Sequence, residues 1–355
     1  MLDTKTLLTR YTPREVGKPT QPEQQLGVIR FSPCGKVLAA GDMEGHVRRW
    51  QLTGDALAPM APLAGQHGWV QALAFDPLGT LLYAADSWGR LAAWPFLDKE
   101  PRPAWGLDKA HDAWIRKVAV SPDGKTLATC SSDGIVRTWA ADKGTKLREW
   151  SAGLDVLSLA FHPDGKSIAF GDLKGGIAQH DLETGKPIRR FEAKEMYRLD
   201  RIQDVGGVRC LAFDATGTQL LAGGCVPTTG AFVQGAGALV FFDAATGKMK
   251  QSLKVGATND GYVHDAHWHK DGFAMAVTSG QPGVGKLVFH RPGDAAPFFV
   301  ATQMPNCQSL AVHPDGRRLV VAATNANSSG NGRNLTNDRK YPANTSPLWM
   351  WQLPV

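Results

Sequence analysis

The sequence predicts an all-β fold: a single seven-bladed β-propeller of four-stranded antiparallel blades. Three observations carry this. A short apolar strand, a glycine-bearing turn and a second apolar strand recur seven times along the 355 residues. The turn glycines stand roughly 41 to 55 residues apart, close to the span of one four-stranded blade. Eleven tryptophans and short runs apolar on both faces, such as 167–170, fit sheets stacked face to face.

The turns are Ser32-Pro33-Cys34-Gly35, Asp76-Pro77-Leu78-Gly79, Ser121-Pro122-Asp123-Gly124, His162-Pro163-Asp164-Gly165, Asp214-Ala215-Thr216-Gly217, His269-Lys270-Asp271-Gly272 and His313-Pro314-Asp315-Gly316. Proline presets φ in such a turn, and glycine accepts a positive φ. The third copy is the clearest. Residues 118–120 read as strand a, 126–130 as b, 135–139 as c and 146–150 as d. In the other copies strand c ends at Trp50, Trp94, His180, Phe242, His290 and Trp351.

Seven copies in register resemble the WD40 repeat family over nearly the whole chain. The resemblance implies a hydrogen-bonded tetrad of His, Ser, Asp and Trp inside a blade. His111, Ser131, Asp133 and Trp139 match it in copy three. Copy two has His67 and Trp94 but carries Trp88 at the Asp position, and copy four carries Lys174 there. No Trp-Asp dipeptide occurs. Tetrad support is therefore expected to differ between blades.

Blades are expected at 27–64, 70–108, 115–151, 155–192, 207–254, 262–302 and 307–355, the last holding only strands a to c. Its missing outer strand is assigned to residues 4–10, pairing with 349–353. That pairing would remove two open sheet edges.

Composition narrows the class. The N-terminus has no apolar signal-type stretch, and no run of 18 apolar residues exists. Five cysteines at irregular spacing read as buried thiols in a reducing, cytoplasmic setting. The net charge of +6 is scattered, which argues against a nucleic-acid stripe. No cofactor is implied. A monomer, or one part of a larger complex, is expected.

Function is expected where the copies differ. The a–b turns are uniform and minimal. The long excursions, 191–208, 225–238, 255–264, 280–285 and 324–347, fall in d–a and b–c connections of blades four to seven, on one face. The reading is a non-catalytic scaffold that binds a protein or peptide there. The residues picked for contact are Tyr197, Arg198, Arg201, Tyr262, Arg339 and Tyr341, since Tyr and Arg dominate interface anchors. Two alternatives stay open. One is a hydrolase- or lyase-type propeller enzyme at the channel mouth, using His267 and Asp172. The other is nucleic-acid contact through Arg198, Arg201, Arg333, Arg339 and Lys340.

Other motifs have plainer readings. Residues 280–286 match the start of a phosphate-binding loop, but Leu287 replaces the needed hydroxyl and a strand follows. His264, His267 and His269 are spaced for a metal, yet His269 recurs as His162 and His313 before the turn; no metal site is assigned. Asp42, Asp86 and Asp172 recur near the end of strand b and read as turn caps.

Overall fold

The computed structural model describes residues 4–99, 101–228, 235–257, 261–280, 285–324 and 344–354. They form seven four-stranded antiparallel sheets and one two-stranded ribbon. Blade three shows the plan: strands Ile115–Val120, Thr126–Ser131, Ile135–Ala140 and Lys146–Ser151, paired in chain order. Strand b is covered on both faces by neighbouring sheets, so in blade one all six residues of Val37–Asp42 are buried. Strand d forms the rim and buries little; in Lys146–Ser151 only Trp150 is buried.

The apolar core divides by seam. Seven clusters of buried side chains lie between successive sheets. The cluster between blades seven and one joins Ala311, Val320 and Met350 to Leu26, Ile29 and Leu38. The seams are also stapled by hydrogen bonds. His162, His269 and His313 each place Nε2 on the turn glycine carbonyl of the next blade: Gly217 at 3.1 Å, Gly316 at 2.8 Å and Gly35 at 3.1 Å. Each Nδ1 accepts the amide two residues on, so Nε2 carries the donated proton. This is why histidine recurs before the turn. It also fixes Gly35, where a Cβ would meet the His313 ring at 2.1 Å and φ is +72°.

Two expectations about the chain are corrected. Residues 4–10 are not a strand: Thr4–Tyr11 is a helix. Leu7 and Tyr11, four apart and so on one helical face, are buried in the cluster between blades six and seven. The Tyr11 hydroxyl donates to Asp271, and Pro13 follows the helix end. The ring is instead closed by Arg14–Glu15, paired with Gln352 and Trp351. Val16 N–H adds a bond to Met350 O at 2.9 Å, and Thr20 bridges Leu348. The second correction concerns 225–238. Strands b and c of blade five run on through it as a ladder, Cys225 opposite Gly237 and Pro227 opposite Gly235.

The connections group by face as expected. On one, d–a connections bond to b–c turns: Ala152 N–H to Gly134 O, Ala193 N–H to Gly175 O, Val255 N–H to Gly237 O. On the other, a–b turns bond to c–d turns, as Ala141 N–H to Lys125 O.

Leu7→Ala should cost about 2–4 kcal/mol in urea unfolding, through the cavity left at the seam. Leu8→Ala, on the exposed side of the same helix, should cost under about 0.5 kcal/mol. Equal effects would mean the helix does not anchor the closure.

Candidate functional site

The face bearing d–a and b–c connections surrounds the mouth of an axial channel lined by the a strands. In six of seven a strands the ladder to strand b slips one residue near its start. Such a bulge re-aims a side chain without unpairing the sheet. The extra residues are Gly27, Gln71, Arg116, Leu157, His264 and Gln308; Arg209 stands at the corresponding place in blade five, its N–H bonded to Gly223 O. Two positions before five of these six bulges, another repeated residue receives a b–c turn amide on its carbonyl: Gln25, Trp69, Trp114, Asp155 and Asn306.

Aromatic and basic groups collect at this mouth. Trp69 and Trp88 are 48% and 69% exposed. Trp69 meets Trp114 edge to face at 5.9 Å, and the Arg116 guanidinium lies 3.8 Å over the Trp114 ring. Arg116 also donates to Ser132 Oγ at 2.8 Å. Arg209 lies 4.4 Å over Tyr262. Burial, then the field of Arg209, lowers the Arg116 pKa. Burial and Arg209 push His264 down to about 4, so it is neutral near pH 7. These groups were not singled out from the sequence, apart from Tyr262 and His264. The available signal was tryptophan just ahead of strand a in two successive copies.

Below the mouth the channel is filled. Asp265 of blade six is buried. It pairs with Arg30 of blade one at 2.7 Å, accepts from Ser309 Oγ of blade seven at 2.8 Å, and lies 3.8 Å from Lys117 Nζ of blade three. His267 Nε2 is 3.3 Å from its other oxygen, without hydrogen-bond alignment. Burial would raise this carboxyl's pKa, but Arg30, Lys117 and His267 outweigh it and hold it well below the usual range. Arg30 and His267 occupy the register position where Ala74, Ala119, Ala160, Ala212 and Ala311 stand in the other blades. The small side chains leave the space, and these two use it.

The suggested catalytic pair does not form. Asp172 Oδ1 accepts Lys174 and Gly176 amides at 2.8 and 2.9 Å, and His267 faces Asp265. The Ser309–Asp265–His267 order is also wrong for a nucleophile, because the carboxylate rather than the imidazole meets the hydroxyl. Asp42 and Asp86 cap their b–c turns as Asp172 does. The histidine trio does not converge: His269 staples a seam, His267 faces Asp265 and His264 packs on Tyr262. Among the described residues, Asp42, Glu44 and His46 have metal-ligand spacing. Arg48 already pairs with both carboxylates there.

The tetrad is present in blade three with one member changed. Trp139 Nε1–H donates to Thr129 Oγ1 at 2.9 Å. The Thr129 hydroxyl therefore donates to His111 Nε2 at 2.7 Å, and His111 Nδ1–H to Asp133 Oδ2 at 2.9 Å. Ser131 is not in this chain; its hydroxyl accepts the Asp133 amide at 3.1 Å. The register explains this. Leu127 lies opposite Trp139, so Thr129 is the diagonal neighbour on the same face and Ser131 is one pair too far. In blade two Ala84 replaces Thr129 in that register, His67 is exposed, and the Trp94 N–H has no partner.

Of the contact residues expected from sequence, Tyr197, Arg198 and Arg201 share the ribbon Tyr197–Asp200 with Gln203–Gly206, which pairs with no blade. Tyr197 O–H donates to Asp204 at 2.6 Å. At the tip Arg201 takes φ +57°, the one non-glycine positive φ among the described residues, and Ile202 is 94% exposed. Tyr262 sits at the channel mouth instead. Arg339, Tyr341, Arg333 and Lys340 lie outside the described residues, as do 281–284 of the phosphate-loop look-alike.

The WD domain, G-beta repeat family matches residues 106–140, from the outer strand of blade two through strands a to c of blade three. Curated relatives include the small ribosomal subunit protein RACK1y of Oryza sativa subsp. japonica, 26% identical over 45% of this chain and 46% of that protein. The ribosome biogenesis protein WDR12 homolog of Chlamydomonas reinhardtii is 28% identical over 55% of this chain and 48% of that protein. Periodic tryptophan protein 2 of Arabidopsis thaliana is 26% identical over 59% of this chain and 22% of that protein. The chain thus spans less than half the length of each.

Asp265→Ala should cost about 3–5 kcal/mol by leaving Arg30 and Lys117 buried without their counter-charge. The folded pKa lies below the unfolded value near 3.9. The carboxylate's contribution is therefore complete above about pH 4 and is lost as pH falls through the folded pKa. Asp265→Asn should flatten that acid limb in pH-dependent melting; an unchanged limb would place the charge network elsewhere. In blade three, Thr129→Val should cost about 1–3 kcal/mol and more than Ser131→Ala in the same denaturant titration. The reverse order would reinstate Ser131 in the tetrad.

Proposed function

We propose that this chain, whose blades repeat the WD40 pattern and which matches the WD domain, G-beta repeat family over 106–140, is a non-catalytic scaffold docking a protein or peptide on the face that carries its d–a and b–c connections. One contrast carries this reading. The a–b turns of the other face are short copies of one another, whereas this face gathers the free ribbon, the exposed tryptophans and the unlike mouth residues. Exposed tryptophan, tyrosine and arginine in one region mark an interaction surface, because they join large contact area to polar reach. The relatives' names place one in the small ribosomal subunit and another in ribosome biogenesis; a role in a macromolecular assembly is the corresponding reading for this chain.

The ribbon supports a docking arm over the sector of blades four to seven. Leu199 and Ile202 present apolar surface to solvent beside Arg198 and Arg201. Tyr262, Arg339 and Tyr341 complete the proposed contact set. At the axis the Ser309 hydroxyl donates to the Asp265 carboxylate rather than to an imidazole, an arrangement that supports docking over hydrolysis. Four buried thiols fit a reducing compartment such as the cytoplasm.

A photo-crosslinking residue placed at Ile202 or Trp88 should capture a partner in the native cell. The same residue at Leu78 or Asp123, in a–b turns, should not. Crosslinks confined to the a–b turns would end this reading. Alanine at Tyr197, Arg198, Arg201, Tyr262, Arg339 or Tyr341 should weaken the captured complex by about 2 kcal/mol or more at true anchors.

A further inference from the structure

We infer that the channel mouth is a receptor for an acidic linear segment of a partner protein, gripped by two arginine–aromatic pairs and a tryptophan shelf. This rests on the docking reading above and gives it a ligand chemistry. The pairs are Arg116 over Trp114 and Arg209 over Tyr262. They come from blade three and from blades five and six, on either side of blade four at the same mouth. Among the described residues, no carboxylate lies within ion-pair distance of either guanidinium, although the Asp155 carboxylate acts on Arg116 from farther off. Arg116 donates to a serine hydroxyl, and Arg209 Nε–H has no acceptor. The Trp114 indole N–H also has none. Each arginine is held by a ring, so little freedom is lost when an anion arrives.

The charge beneath the mouth has the same sign. Arg30 and Lys117 place two cations on the axis against the single carboxylate of Asp265. A narrow opening with low-dielectric walls focuses this excess outward. A carboxylate-bearing segment fits that field, while a basic one is repelled. Trp69, half-exposed and in contact with Trp114, and the more exposed Trp88 next to Gly68 offer a shelf for one bulky apolar side chain of the same segment. The ribbon is a separate element: it pairs with no blade, and its tip carries Arg201 and the exposed Ile202.

The test is selection of random dodecapeptides displayed on phage against the full chain, followed by anisotropy titration of the fluorescein-labelled winners. Acidic sequences containing one bulky apolar residue should be enriched. Their affinity should fall at least tenfold in Arg116→Glu, in Arg209→Glu and in Trp69→Ala, and should weaken as salt rises. Lys125→Glu, in an exposed a–b turn of the opposite face, should leave it unchanged. Arg116→Gln and Arg209→Gln, which remove charge without reversing it, should show intermediate losses at an unaltered melting temperature. This covers the case in which a glutamate variant fails to fold. Winners without acidic residues, or winners that bind the Gln variants as tightly as the parent, overturn the mouth assignment. If crosslinking at Ile202 still captures a partner in that event, the docking reading stands and only its acidic mouth is lost. If neither face captures a partner, both fall.

Discussion

A sheet that is apolar on both faces cannot be buried by one neighbour. That constraint shapes this protein. Each blade needs a blade on either side, so the stack is satisfied only when its ends meet. The seven seam clusters are the result. The last seam is made by segments from opposite ends of the chain: Leu7 and Tyr11 wedge the outside of blades six and seven while Arg14–Glu15 completes the sheet. The imidazoles of His162, His269 and His313 add directional bonds to what burial makes merely adhesive. The last of them ties blade seven to blade one.

Much of this was readable from residues, because turns obey local rules. Pro122 and Gly124 announce a hairpin wherever they stand, and seven such announcements count the blades. The places where reading failed share one cause: the deciding partner is distant in sequence. Residues 4–10 have strand-like composition, but Leu7 and Tyr11 become helical because a pocket 260 residues away accepts them. Ser131 fits a motif by spacing, yet cross-strand register hands the bond to Thr129. Cys225 and Pro227 look like loop but continue a ladder.

The candidate site was legible only in part. Long connections drew attention to the ribbon, where Tyr197, Arg198 and Arg201 do stand together. Short connections concealed Trp69, Trp88 and Trp114, since length carries no trace of what a two-residue difference exposes. Arg116 and Arg209 read as ordinary strand residues until the bulges place them at the mouth. His267 and Asp172 looked like a reactive pair, but His267 stands beside Asp265 instead. The structure makes the Asp265 carboxylate a counter-ion for cations of blades one and three and an acceptor for a hydroxyl of blade seven, with its charge already committed.

The recurring one-residue slip at the head of the a strands has a wider meaning. A residue in the slip is excused from the hydrogen-bond ladder, and the apolar seams do not depend on it. Glycine, glutamine, arginine, leucine and histidine all occupy it in this one chain. Selection can therefore rewrite the chemistry of the opening letter by letter while the scaffold beneath stays the same. Evolving a new specificity then demands little compensation from the fold.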